Sequence, residues 1–326
     1  MARAALLLTL VVPLALGGCG TPAQTVVSKP PTPPAAGDSL TEDPSPEAFP
    51  GRTVTLAEFV ARLREEVATL ARRPEMAREF RGFALRHGLD AGDPLLLRDY
   101  VAVRTVFEAV RDAGWWGVRW EITDRPPDSR AIWAQWRRFA PPGGEPVVTA
   151  TAECDEISAL FAFLAGKLGV RGVGLFWPLT NHAIAAWVIR QPGRNEARVA
   201  VPTSFLFLSY ADRFDGIRKP DFDPFRQKTV HEYREADAPD ALEIPAALGD
   251  FFIRQVRRYG ACSTETLHFI AFNRRQLREN PRLRQLVLDE IGRMRRALAG
   301  GDAPRPDLVA LERFAAELPG TGDPRM

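Results

Sequence analysis

The chain has 326 residues, 45% of them hydrophobic: enough apolar surface for a packed core, and a length that suits one large domain or two small ones. The formal net charge is +2 and the arginines are scattered along helix faces, so no basic stripe points to nucleic acid. Three cysteines and four histidines give no disulfide framework, and no CxxC, HExxH, Walker or GxSxG pattern occurs.

The opening MARAALLLTLVVPLALGGCG reads as an export signal over residues 1–18. Arg3 supplies a positive start, and the apolar run 4–16 is too short to span a bilayer comfortably. The sequence Leu16-Gly17-Gly18-Cys19 resembles a bacterial lipobox. That resemblance implies cleavage before Cys19 and lipidation of its thiol. Gly20, in place of Asp, implies delivery to the outer membrane. An ordinary secretory signal is the alternative. Residues 19–50 carry PTPP, PSP and FPG among small polar residues and read as a Pro-rich tether, extended at roughly 3 Å per residue.

Residues 51–145 read as an N-terminal helical region. In 53–73, Phe59, Leu63, Val67 and Leu70 recur at helical spacing behind a Thr55/Glu58 capping box. A second helix covers 74–87, with Met76, Phe80 and Phe83 on one side and Gly88 as its stop. A third covers 93–112 through Tyr100, Val103, Phe107 and Val110. Trp115, Trp116, Trp120, Trp133 and Trp136 then form an aromatic group that favours packing over ligand binding.

Residues 146–235 change character. An apolar helix is predicted over 155–168, followed by strands at VGLFW, IAAWVI and ARVAVPT, the last two joined by a polar turn at QPGRNE. Beyond Ser204 comes an irregular segment with Asp212, Asp215, Asp221 and Asp223, whose spacing does not fit an EF-hand and reads as solvated loop. Residues 236–326 return to helix, at 246–259, 264–278, 282–298 and 307–318. The expected class is α+β: a helix-rich protein with a central helix packed on a small antiparallel sheet.

Chemistry is concentrated at Cys154 and His182. A cysteine is nucleophilic as thiolate, and a helix N-terminus and a neighbouring imidazolium both favour that form. Cys154 falls in the predicted first turn of the apolar helix, where unpaired N–H groups could also hold an oxyanion. His182 opens the second predicted strand. Asp155 and Glu156 suit a helix start, but their charge opposes a thiolate.

AECDEISALFAFLAGKLGVRGVGL, HAIAAWVI and VAVPTS resemble the transglutaminase-like, papain-like superfamily, over residues 148–208, about a fifth of the chain. The resemblance implies Cys154 as nucleophile, His182 as general base and acid, and acyl transfer or hydrolysis at amides of a protein or peptide, with no cofactor or metal. The family's third member, the Asp of D-P-T, falls on Val201, which accepts no hydrogen bond. Thr203, Ser204 or Asn181 are the candidates to orient His182 instead, and Gln135 and the nearby tryptophans are the upstream candidates for the oxyanion. The substitution leaves a second reading open: the same fold without catalysis, as a binding or scaffold module of the cell envelope. In an oxidising compartment a Cys154–Cys262 disulfide would silence the thiol. Cys262, in GACST before a helix, is the rival nucleophile; His87, His231 and His268 sit in sequences that favour structural roles.

Overall fold

In a computed structural model, the described residues are 48–123, 128–140, 148–179, 182–204, 239–298 and 306–318. The signal, residues 19–47 of the expected tether, the acidic segment at 212–223 and His231 lie outside them; the last tether residues, 48–50, lie within, and Phe49 is buried in the core with its N–H donating to Asp250 Oδ1 at 3.1 Å, so the folded body begins before 51. Residues 45–326 form one compact unit of class α+β, with nine α-helices among the described residues, two small antiparallel sheets and one short parallel pair.

The chain opens with β1 (Thr53–Thr55), then α1 (Leu56–Ala71), α2 (Pro74–Arg86) and α3 (Pro94–Val110). Residues 53–55, expected to be helical, pair antiparallel with β7 (Glu243–Pro245). A three-residue strand has no periodicity of its own, and its pairing is a long-range event. The Thr55/Glu58 capping box forms at the start of α1: Thr55 N–H donates to Glu58 Oε2 at 2.9 Å, and Glu58 N–H to Thr55 Oγ1 at 3.3 Å. Gly88 ends α2 with φ +67, a conformation that carries a steric penalty for other L-residues.

The sequence shows one apolar stripe on α3, yet every residue from Tyr100 to Val110 is buried, which makes α3 the central helix. Its charged members find partners inside. Arg104 donates to Glu79, to the Gly260 carbonyl at 3.0 Å and to the Cys262 carbonyl, and Arg111 donates twice to Glu108, at 2.8 and 2.5 Å. Next in the chain come β2 (Val118–Trp120), α4 (Ala131–Trp136) and β3 (Ala150–Ala152); β2 and β3 pair in parallel. The tryptophans pack as expected. Trp116 is fully buried, stacks on Phe252 at 4.5 Å and meets Trp136 edge-on at 6.1 Å; Trp120 is half-buried.

Then comes α5 (Cys154–Lys167), followed by β4 (Val173–Leu179), β5 (His182–Ile189) and β6 (Ala197–Val201), an antiparallel meander in chain order. Ile157, Leu160, Phe161 and Leu164 of α5 share the core with Ala185, Trp187, Val199 and Val201 of the sheet. Between the pairs Phe176–Ile184 and Leu179–His182, β4 carries one more residue than β5. The bulge falls within Trp177–Pro178, and a proline has no N–H for the ladder. The C-terminal helices are α6 (Ala246–Tyr259), α7 (Thr264–Glu279), α8 (Arg284–Leu298) and α9 (Pro306–Glu317). A single core cluster runs from Phe49 to Phe314.

Candidate active site

Cys154 is the first residue of α5, and local chemistry fixes that start. Glu153 is extended (φ −84, ψ 172), and its N–H donates to Glu156 Oε2 at 2.9 Å, three residues on. The Glu153 carboxylate accepts from the Thr123 N–H at 2.8 Å and the Thr123 hydroxyl at 2.5 Å. β3 leads straight into this cap. Gln135 clamps β3, donating to the Thr151 carbonyl at 2.8 Å and accepting from the Thr151 N–H at 2.9 Å. Its amide is therefore engaged on main chain, which removes it as an oxyanion donor.

The nucleophile and the histidine strand meet. The Ala183 N–H, one residue past His182, points at the half-buried Cys154 sulfur, as does the Asp155 N–H. Burial pushes the thiol above its ordinary range, with the charges of Asp155 and Glu153 adding to it, against these two N–H groups. Burial pushes the His182 imidazole down to about 4. Thiol and imidazole are thus both neutral at pH 7. Asp155 is half-buried, its Oδ1 without a hydrogen-bond partner among the described residues, and burial raises its own pKa.

Ser204 is the hydroxyl beside the imidazole. Its Oγ lies 3.4 Å from His182 Nε2, both side chains being buried. The ladder pairs Ala185 with Val201, and the same register continued beyond β6 brings Ser204 opposite His182. Val201 is fully buried in the core with Ala185, and a residue three positions from His182 on a strand leaves the opposite face. Position 201 is therefore not beside the imidazole. Thr203 makes its hydroxyl contact with Ser158 Oγ, at 2.8 Å. Since Ser158 donates its proton to the Cys154 carbonyl at 2.6 Å, Thr203 is the donor of that pair. Asn181 and Cys19 lie outside the described residues.

Cys154 and Cys262 are both free thiols, with no bridge between them. Cys262 is fully buried, its Sγ directed at the Pro306 carbonyl at 3.4 Å, and burial pushes it up to about 12, which removes it as a nucleophile. His268 stacks on Phe272 at 6.4 Å. Among the described residues no group of three His, Cys, Asp or Glu could hold a metal, and no helix is long and apolar enough to cross a membrane.

Sequence reasoning missed Ser158, although it sits one helical turn from Cys154 on the same face and could have been found by that spacing. It also missed the Ala183 N–H and Thr123; no side-chain pattern signals a main-chain donor or a tertiary cap. The chain matches no protein-family model, no curated protein and no solved structure.

Proposed function

We propose that the chain is an exported, lipid-anchored protein of the bacterial cell envelope, held through Cys19 at the outer membrane, whose transglutaminase-like core performs acyl transfer or hydrolysis at amide bonds of a protein or peptide. The observation that carries this reading is the Ala183 N–H directed at the Cys154 sulfur, which joins the N-terminus of α5 to the start of the histidine strand. Helix, three-stranded meander and the order Cys154 then His182 support it further.

In this reading the imidazole takes the Cys154 proton as the sulfur adds to the carbonyl carbon, so the resting pair is neutral and the thiolate exists only during attack. With Nε2 facing Ser204, this route requires Nδ1 to be the atom that meets the sulfur. N–H groups of the first turn of α5 hold the oxyanion. The C–N bond breaks as His182 returns the proton to the leaving amine. Water or a second amine then releases the acyl group from the thioester. Ser204 is the orienting group, and no cofactor or metal takes part.

The resting protonation states favour a second reading, a binding or scaffold module on the same fold without turnover: a raised thiol and a lowered imidazole do not form a ready ion pair. Mixing the protein with p-nitrophenyl acetate separates the two. The catalytic reading expects a burst of nitrophenol equal to the protein, absent in Cys154→Ala and much slower in His182→Ala. A Cys154 acylated no faster than a free thiol, with or without His182, leaves the binding reading.

A further inference from the structure

A set of bonds behind the site converges on Asp112, a fully buried carboxylate just past α3. Its N–H donates to the Thr203 carbonyl at 2.9 Å, next to Ser204. Its Oδ1 accepts from the Trp120 N–H at 2.9 Å, at the end of β2. Trp120 is paired with Ala152, and the Glu121 N–H donates to the Ala152 carbonyl at 3.0 Å, two residues before Cys154. Asp112 thus holds both the strand end that faces His182 and the strand that delivers the nucleophile. Arg275 and Arg278 of α7 each reach its carboxylate at 3.4 Å, and the Arg275 guanidinium lies over the Trp120 ring, 5.6 Å from its centroid.

The backbone here is constrained. Ala113 is the one non-glycine residue with positive φ among the described residues, at 56. A Cβ on Gly114 would lie 2.6 Å from the Glu108 carbonyl oxygen and 2.7 Å from that of Arg111, so the loop is pressed onto the end of α3. A buried carboxylate with arginine partners is a poor device for stability alone, since apolar side chains of the same volume commonly do as well; it suits fixing one geometry.

We propose that Asp112 is the positioning residue of the Cys154–His182 site, setting the strand end with Ser204 against the strand that ends at Cys154. This rests on the acyl-transfer reading. Asp112 does not touch the reacting atoms; it acts through Thr203–Ser204 on one side and Trp120–Ala152 on the other.

The test compares Asp112→Ala, Asp112→Asn and Arg278→Ala with the unmodified protein and with Leu311→Ala, a core truncation in α9. Circular dichroism selects the folded variants. Two quantities are read: the titration of the His182 ring protons by NMR, assigned with His182→Ala, and the alkylation rate of Cys154 by iodoacetamide against pH. In Asp112→Ala the His182 titration is expected to move up toward the ordinary imidazole value, as a displaced strand end admits water, and alkylation to change by roughly tenfold or more. Asp112→Asn keeps the acceptor for Trp120 and shifts less; Arg278→Ala shifts in the same direction; Leu311→Ala leaves both readings in place. If Asp112→Ala does not fold, the Asn and Arg278 variants decide. Titrations and rates equal to the unmodified protein in every folded Asp112 and Arg278 variant overturn the proposal. The acyl-transfer reading fails separately, when His182→Ala leaves Cys154 alkylation unchanged; the NMR titration still reads the Asp112 link in that event.

Discussion

Ser204 Oγ lies 3.4 Å from His182 Nε2, while Val201 of the same strand end is turned into the core opposite Ala185. A carboxylate introduced at each position should therefore behave differently. Ser204→Asp is expected to raise the imidazole pKa from about 4 by about 1 to 3 pH units, since an opposite charge in contact favours the protonated ring. Val201→Asp is expected to leave the His182 titration in place and to lower stability by about 3 kcal/mol or more, as an unpaired buried charge. NMR titration and urea unfolding of both variants check this; equal effects on the imidazole would show that the register does not extend to Ser204.

The lowered imidazole pKa has a stability consequence of definite sign. Between about pH 6.5 and pH 4 the unfolded chain carries a proton on His182 and the folded chain does not, so stability falls as the pH falls through that window. Discounted for screening by solvent, the loss is on the order of 2 kcal/mol. Urea midpoints across this range should fall, and the fall should be smaller in His182→Gln. A His182→Gln profile parallel to that of the unmodified protein would rule out a neutral buried imidazole.

Asp155→Asn removes a charge that opposes the thiolate. The Cys154 pKa should drop, and iodoacetamide labelling at pH 7.5 should rise with it. Asp155 has a raised pKa in the fold, so its ionisation works against folding: the stability it contributes is present in acid and lost as pH rises through its folded value. Asp155→Asn should accordingly be stabilising at pH 7 and neutral near about pH 3. Slower labelling in the variant would mean that the carboxylate serves the sulfur in another way.

Ala113→Gly tests the constrained loop beside Asp112. A left-handed alanine is strained by about 1 kcal/mol, offset in part by the greater freedom of glycine in the unfolded chain. A net gain of up to about 1 kcal/mol is expected, seen as a rise in Tm of roughly 2–4 °C. A fall in Tm would place the alanine methyl in a packing role.

Much of the helical framework is legible from spacing alone. Residues 246–259 follow their predicted bounds, and the helix expected from 155 begins one residue earlier, at Cys154. The apolar repeat and the turn residues are local signals, and they survive folding because each helix buries the stripe its sequence presents. The short strands β1, β2, β3 and β7 and the helix α4 were not legible, because a run of three to six residues carries no period and gains its stability from distant partners.

The order of helix and strands around Cys154 and His182, the polar stops between them and the lack of a carboxylate at position 201 are local properties that can be read along the chain. What those residues face is set by packing. Register turns Val201 inward and brings Ser204 to the imidazole; packing of α5 on the sheet directs the Ala183 N–H at the sulfur. Burial sets the protonation of both groups, because the desolvation of a charge depends on everything packed around it and on nothing in its own stretch of chain.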